Sequence, residues 1–106
     1  GAMTSLFAIL LSLRMLGIPC QIVTVSISAY SDYGITASGA LTRPGVAACG
    51  PSYPFGTFFL VAGQWFMCLD RGGLVTDGHL DLWMASEDAA WEFGRATRSV
   101  IVVRPH

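Results

Sequence analysis

The ten residues Gln21–Tyr30 (QIVTVSISAY) constrain this chain more than any other stretch. Ile22, Thr24, Ser26 and Ser28 alternate with Gln21, Val23, Val25, Ile27 and Ala29, and β-branched residues dominate. A period of two with that composition reads as a strand. Beyond Tyr30 the segments are short and heavily punctuated. Ser31–Gly34 turns, Ile35–Leu41 is broken by Gly and Ser, and Arg43-Pro44-Gly45 turns again. Strands are expected at Val46–Cys49, at Thr57–Val61 and Trp65–Leu69 around an Ala62-Gly63-Gln64 hairpin connection, at His79–Met84 and at Arg98–Val103. Ser86 is the expected N-cap of a helix ending near Gly94, with Glu87 and Asp88 in its dipole-favoured first turn. Many short strands, glycine turns and one short helix point to a mainly β fold, a compact barrel.

At 106 residues the chain makes one core. Only 12% of it is charged and 53% is hydrophobic, against roughly 25% charged in an average domain. The apolar excess must enter a tight core or an interface. The charge is −1, with six Arg and no Lys, so no phosphate-tracking surface is expected and nucleic acid is not a predicted partner.

Residues 1–20 read as a cloning remnant (Gly1-Ala2-Met3) plus a hydrophobic N-terminal helix, and residues 21–106 as the barrel domain. Leu6–Leu16 is apolar on every side but shorter than the ~20 residues of a membrane span, and Arg14 interrupts it. It reads either as a targeting remnant or as a helix packing on the barrel or on a second copy of the chain. Cys20, Cys49 and Cys68 form no Cys-x-x-Cys, and His79 and His106 add no ligand spacing, so no metal site is expected. One disulfide and one spare thiol would suit a protein outside the cytosol.

Two carboxylates carry the chemistry in Asp70-Arg71-Gly72-Gly73 and Gly78-His79-Leu80-Asp81-Leu82-Trp83. An Asp between two leucines on a short strand borders an apolar environment, which favours the protonated acid. Glycines beside the other let a polymer approach the backbone. The same residues also fit a strand-ending turn and a solvated strand face. Tyr30 and Thr36-Ala37-Ser38-Gly39 could donate hydrogen bonds to a sugar or simply shape a turn. Of Tyr53, Phe55, Phe58, Phe59, Trp65, Phe66, Trp83 and Trp91, most read as core; Tyr53 and Trp65, in or beside loops, are the candidates for stacking on a ligand.

Taken in order, Ser28-Ala29-Tyr30, Thr36-Ala37-Ser38-Gly39, Pro44-Gly45-Val46-Ala47, Pro54-Phe55-Gly56-Thr57, Asp70-Arg71-Gly72-Gly73, Leu80-Asp81-Leu82-Trp83 and Ala90-Trp91-Glu92-Phe93-Gly94 resemble the 3D (three-aspartate) domain. That family is similar to the catalytic core of membrane-bound lytic transglycosylase A and to stationary-phase muralytic proteins. The resemblance spans about residues 22–103. It implies a six-stranded double-psi β-barrel acting on peptidoglycan outside the cytoplasm, in cell wall or periplasm, without metal or organic cofactor. The implied lytic transglycosylase would use Asp81 as acid/base and Asp70 as the neighbouring carboxylate, with Tyr30, Thr36, Gly72 and Gly73 holding the glycan. The family's first aspartate is missing, where this chain reads Cys49-Gly50-Pro51; its loss favours the alternative, a non-catalytic expansin-like binding module. Cys49, beside that position, and Cys68, two residues before Asp70, are expected to be neighbours, bonded if the protein is extracytoplasmic.

Overall fold

The computed structural model describes residues 5–105; the proposed cloning remnant and His106 lie outside them. Six strands close into a barrel: β1 (Gln21–Tyr30), β2 (Val46–Ala48), β3 (Phe58–Val61), β4 (Gln64–Asp70), β5 (His79–Trp83) and β6 (Ala96–Val103). Their order around the barrel is β1-β5-β2-β4-β3-β6. The pairs β1–β5 and β2–β4 are parallel and the other four antiparallel. Two short helices, α1 (Leu6–Met15) and α2 (Glu87–Phe93), lie outside.

The alternation expected in β1 sends Val25 and Ile27 inward to meet Leu80 and Leu82 of β5, Phe59 of β3, and Val100 and Val102 of β6. Residues one step along the same strands therefore face out. On β3 and β6 that step exposes Leu60 and Ile101, which pair directly across the ladder. α1 covers them: Leu10 is buried against Leu60, Ile101 and Cys20, with Leu6, Ile9 and Leu13 alongside. Burying a side chain such as Leu10 contributes roughly 1.5–3 kcal/mol. The Arg14 guanidinium donates to the Cys20 carbonyl from Nε (3.2 Å) and Nη2 (2.9 Å), tying the helix end to the start of β1. The opposite side of α1, with Phe7, Leu11 and Met15, is exposed. No helix among the described residues is long and apolar enough to cross a membrane.

The β3–β4 hairpin is tighter than the expected three-residue connection. Val61 pairs with Gln64, so only Ala62 and Gly63 turn the chain, with φ of 49° and 82°. Two consecutive positive φ values match the twist of a two-residue hairpin turn. The sequence points to a longer loop because alanine seldom adopts that backbone. Ser86 caps α2 as expected, its side chain accepting from the Ala89 amide at 3.1 Å. Cys49 and Cys68 are bonded, with Cα atoms 5.7 Å apart. Arg71 lies over the bridge, its Nη1 3.0 Å from Cys49 Sγ, while Nη2 donates to the Tyr53 carbonyl at 2.6 Å.

Candidate active site

Strand alternation positions Asp81. Leu80 and Leu82 are drawn into the barrel, so His79 and Asp81 project from its outer face. β1 runs parallel to β5 with Ser26 beside His79 and Ser28 beside Asp81. Ser28 Oγ donates to Asp81 Oδ1 at 3.0 Å and lies 2.7 Å from His79 Nε2. Asp81 is half-buried, and that burial holds its carboxyl above the usual aspartate range against the opposing effects of Ser28, His79 and Arg95. A raised carboxyl keeps more of its acid form near neutrality, as a proton donor requires.

Asp81, Ser28 and His79 line a groove of ≈ 790 Å³ together with Gly72, Gly73, Leu74 and Val75 and with Ala90, Trp91, Gly94 and Arg95 of and after α2. Gly73 leaves open space where a side chain would stand. Trp91, expected among the core aromatics, is instead 87% exposed at the rim; α2 buries none of its side chains fully. A second depression, lined by Pro44, Gly45, Gln64, Trp65, Phe66, Trp83, Met84 and Ala85, holds no acid or base.

Asp70 is placed differently. It closes β4 next to Ala48, whose other neighbour across the sheet is Asp81. Its Oδ1 accepts from the Ala37 and Arg71 amides, both at 2.9 Å, and its Oδ2 from the Tyr30 hydroxyl, also at 2.9 Å. Burial and the Asp70 carboxylate push the Tyr30 phenol well above its ordinary range, so it stays protonated and donating. Thr36 is buried, its hydroxyl 3.0 Å from Ser38 Oγ. The predicted residues thus divide into two groups. Asp81, Gly72 and Gly73 share the groove; Asp70, Tyr30 and the Thr36 turn form a hydrogen-bonded cluster beside it.

The expectation of ligand contact at Tyr53 needs correcting. Tyr53 is buried, packed edge-on against Phe59 at 5.1 Å between centroids and covered by Arg104. Its loop turns back on itself through the Tyr53 amide to the Gly50 carbonyl and tucks the ring under. Trp65 stands at the second depression, away from the carboxylates. Ser28 and His79 belong to the site although no motif singles them out as functional. The signal that finds them is strand periodicity: His79 shares a face with Asp81, and Ser28 lies on the polar face of β1.

Where the resemblance would put a first aspartate, Gly50 packs so closely on Asp77 that any side chain would strike its backbone and carboxylate. Asp77 Oδ1 accepts from the Ser52 amide at 3.0 Å, which lowers its pKa. Among the described residues no group of three or more His, Cys, Asp or Glu comes together as a metal site. Comparison with protein-family models, curated proteins and solved structures finds no match for this chain.

Proposed function

We propose that this barrel is a peptidoglycan lytic transglycosylase, with Asp81 as its single acid/base. The observation carrying the reading is one half-buried carboxyl, raised by burial, on an open groove rimmed by an exposed tryptophan. The two parallel pairs within an otherwise antiparallel closed barrel support the double-psi arrangement implied by the 3D-domain resemblance. The Cys49–Cys68 bridge suits an extracytoplasmic location.

In this reaction the Asp81 carboxyl gives its proton to the glycosidic oxygen between MurNAc and GlcNAc as the C1–O bond breaks. The resulting carboxylate takes the proton of the same MurNAc C6 hydroxyl, whose oxygen closes on C1. The product is a 1,6-anhydro sugar; no water is consumed and the acid is regenerated. One carboxyl suffices, unlike the carboxylate pair of hydrolytic glycosidases. Asp81 Oδ1 is held by Ser28, leaving Oδ2 for substrate. The exposed Trp91 ring is available to a sugar, and Gly73 leaves open space for the strand beside the backbone. Asp70, with three donors upon it, braces Tyr30 and the residue-37 turn beside the groove.

A second reading, a glycan-binding module that does not cut, is favoured by Gly50, which stands where the resemblance would put the first aspartate and has no room for a side chain against Asp77. Mass spectrometry of purified sacculi incubated with the protein separates the two. Soluble 1,6-anhydro muropeptides support the transglycosylase. New reducing ends would mean hydrolysis, and co-sedimentation without any soluble product would mean a binding module.

A further inference from the structure

The Ser28 hydroxyl stands between two partners, His79 Nε2 at 2.7 Å and Asp81 Oδ1 at 3.0 Å. It has one proton to give. Asp81 Oδ1 accepts that proton whether the carboxyl is ionised or carries its own proton on Oδ2, so the imidazole is left to donate its Nε2–H to the serine oxygen. The chain of donation runs from His79 to Ser28 to Asp81. It is not a serine nucleophile's arrangement, in which the acid holds the imidazole and the imidazole draws on the serine. Here the acid engages the serine directly.

We propose that His79 is a positioning residue for Asp81, acting through Ser28. This rests on the reading of Asp81 as the acid/base. A serine hydroxyl rotates about its Cβ–Oγ bond; a donor on its oxygen removes that freedom and aims the proton at the carboxylate. Negative charge develops on Asp81 as its proton leaves for the glycosidic oxygen, and a donor already in place stabilises it without reorganisation. The parallel register makes the coupling possible, since Ser26 beside His79 and Ser28 beside Asp81 bring the serine hydroxyl within reach of both β5 side chains. The other charges acting on Asp81 are Arg95, just beyond α2, which favours the ionised form, and Asp32, just beyond β1, which opposes it. On β1, Tyr30 is already committed to Asp70, and β2 offers only Ala47 and Ala48 opposite β5.

The test follows the Asp81 carboxyl by ¹³C NMR titration in the full chain and, in parallel, the rate of anhydro-muropeptide release against pH. The variants are Ser28→Ala, His79→Leu, His79→Gln and the Ser28→Ala/His79→Leu double. Loss of the aimed donor should move the Asp81 midpoint upward in Ser28→Ala and His79→Leu. The alkaline limb of the rate profile should follow it, while the plateau rate falls about 10-fold, the scale of one hydrogen bond to a charged group. Measured where the imidazole is neutral, the double variant should be no worse than Ser28→Ala, because neutral His79 acts through the serine, whereas a charged imidazole adds its own direct electrostatic effect on Asp81. His79→Gln, whose amide N–H can replace Nε2–H, should recover most of both effects. An Asp81 midpoint unmoved by either single variant overturns the inference, as do additive losses or covalent capture of Ser28 by a fluorophosphonate. A wild type that releases no anhydro product, while its Asp81 midpoint still responds to both variants, supports the coupling and overturns the transglycosylase reading instead.

Discussion

Asp70 and Asp81 flank the same residue, Ala48, from the two strands on either side of β2, so their backbones stand two strand spacings apart. At ~4.8 Å per spacing that is about 10 Å between backbones. The sequence presents them as two similar acids 11 residues apart. The barrel gives them different surroundings. Asp81 keeps one oxygen free at a groove, and Asp70 spends both on the protein.

Asp70→Ala should therefore destabilise the fold more than it alters chemistry. It removes the acceptor of two amides and a phenol, a loss of about 2 kcal/mol at a half-exposed site. Asp70→Asn keeps an oxygen for the amides, and its NH₂ can donate to Tyr30, so its melting temperature should fall less than half as far. Thermal melts of the two variants check the order. Equal Tm values for wild type and Asp70→Ala would refute the bracing role.

The Cys49–Cys68 bridge closes a loop spanning 19 positions of sequence. Cys49→Ser/Cys68→Ser should cost roughly 3 kcal/mol by the loop-entropy account. It should also blunt activity, because Cys68 lies two residues before Asp70 and Arg71 rests on both sulfurs. Denaturant unfolding with and without reductant measures the first effect. A midpoint insensitive to reductant would contradict it.

Trp91→Ala should leave Tm within a degree or two, since the ring is 87% exposed. Glycan affinity should nonetheless fall about 3- to 10-fold, the range of an aromatic contact. Isothermal titration with a chito-oligosaccharide reads it. Unchanged affinity would remove Trp91 from the site.

Asp77→Asn is the control for Asp81. Asp77 is exposed and braces the Ser52 amide outside the groove. Its lowered pKa means that the folded state holds this proton more weakly than the unfolded chain does. That contribution is present above the unfolded value of 3.8 and is lost as pH falls through the lower folded value. Activity should match wild type at neutral pH, and the acid-induced loss of stability should flatten below about pH 4. A large activity loss in Asp77→Asn would show that the 50–52 loop reaches the chemistry.

Much of the fold is legible in the chain because period-two patterning is local. The faces of β1 and β5, the outward direction of Asp81 and the Ser86 cap all follow from neighbouring residues. Features that depend on contacts between distant segments are not legible in the same way. Parallel pairing joins Ser28 to Asp81 across 53 residues, and no spacing rule announces it. Trp91 reads as core because tryptophan usually is, yet α2 is too short and too exposed to bury it. Tyr53 reads as a ligand contact because its segment is a loop, but the turn folds the ring inward. Asp70 looks catalytic by motif; its three donors come from residues 30, 37 and 71.

The most direct test of the central claim is the rate at which Asp81→Asn releases 1,6-anhydro muropeptides from purified sacculi, beside wild type and Asp77→Asn. Asparagine keeps the shape and can still accept from Ser28, but it cannot give and retake a proton. The rate should fall about 10²–10⁴-fold with Tm nearly unchanged, and Asp77→Asn should run at the wild-type rate. Anhydro-product release by Asp81→Asn within a few-fold of wild type would contradict it, as would a wild type that binds sacculi and releases nothing.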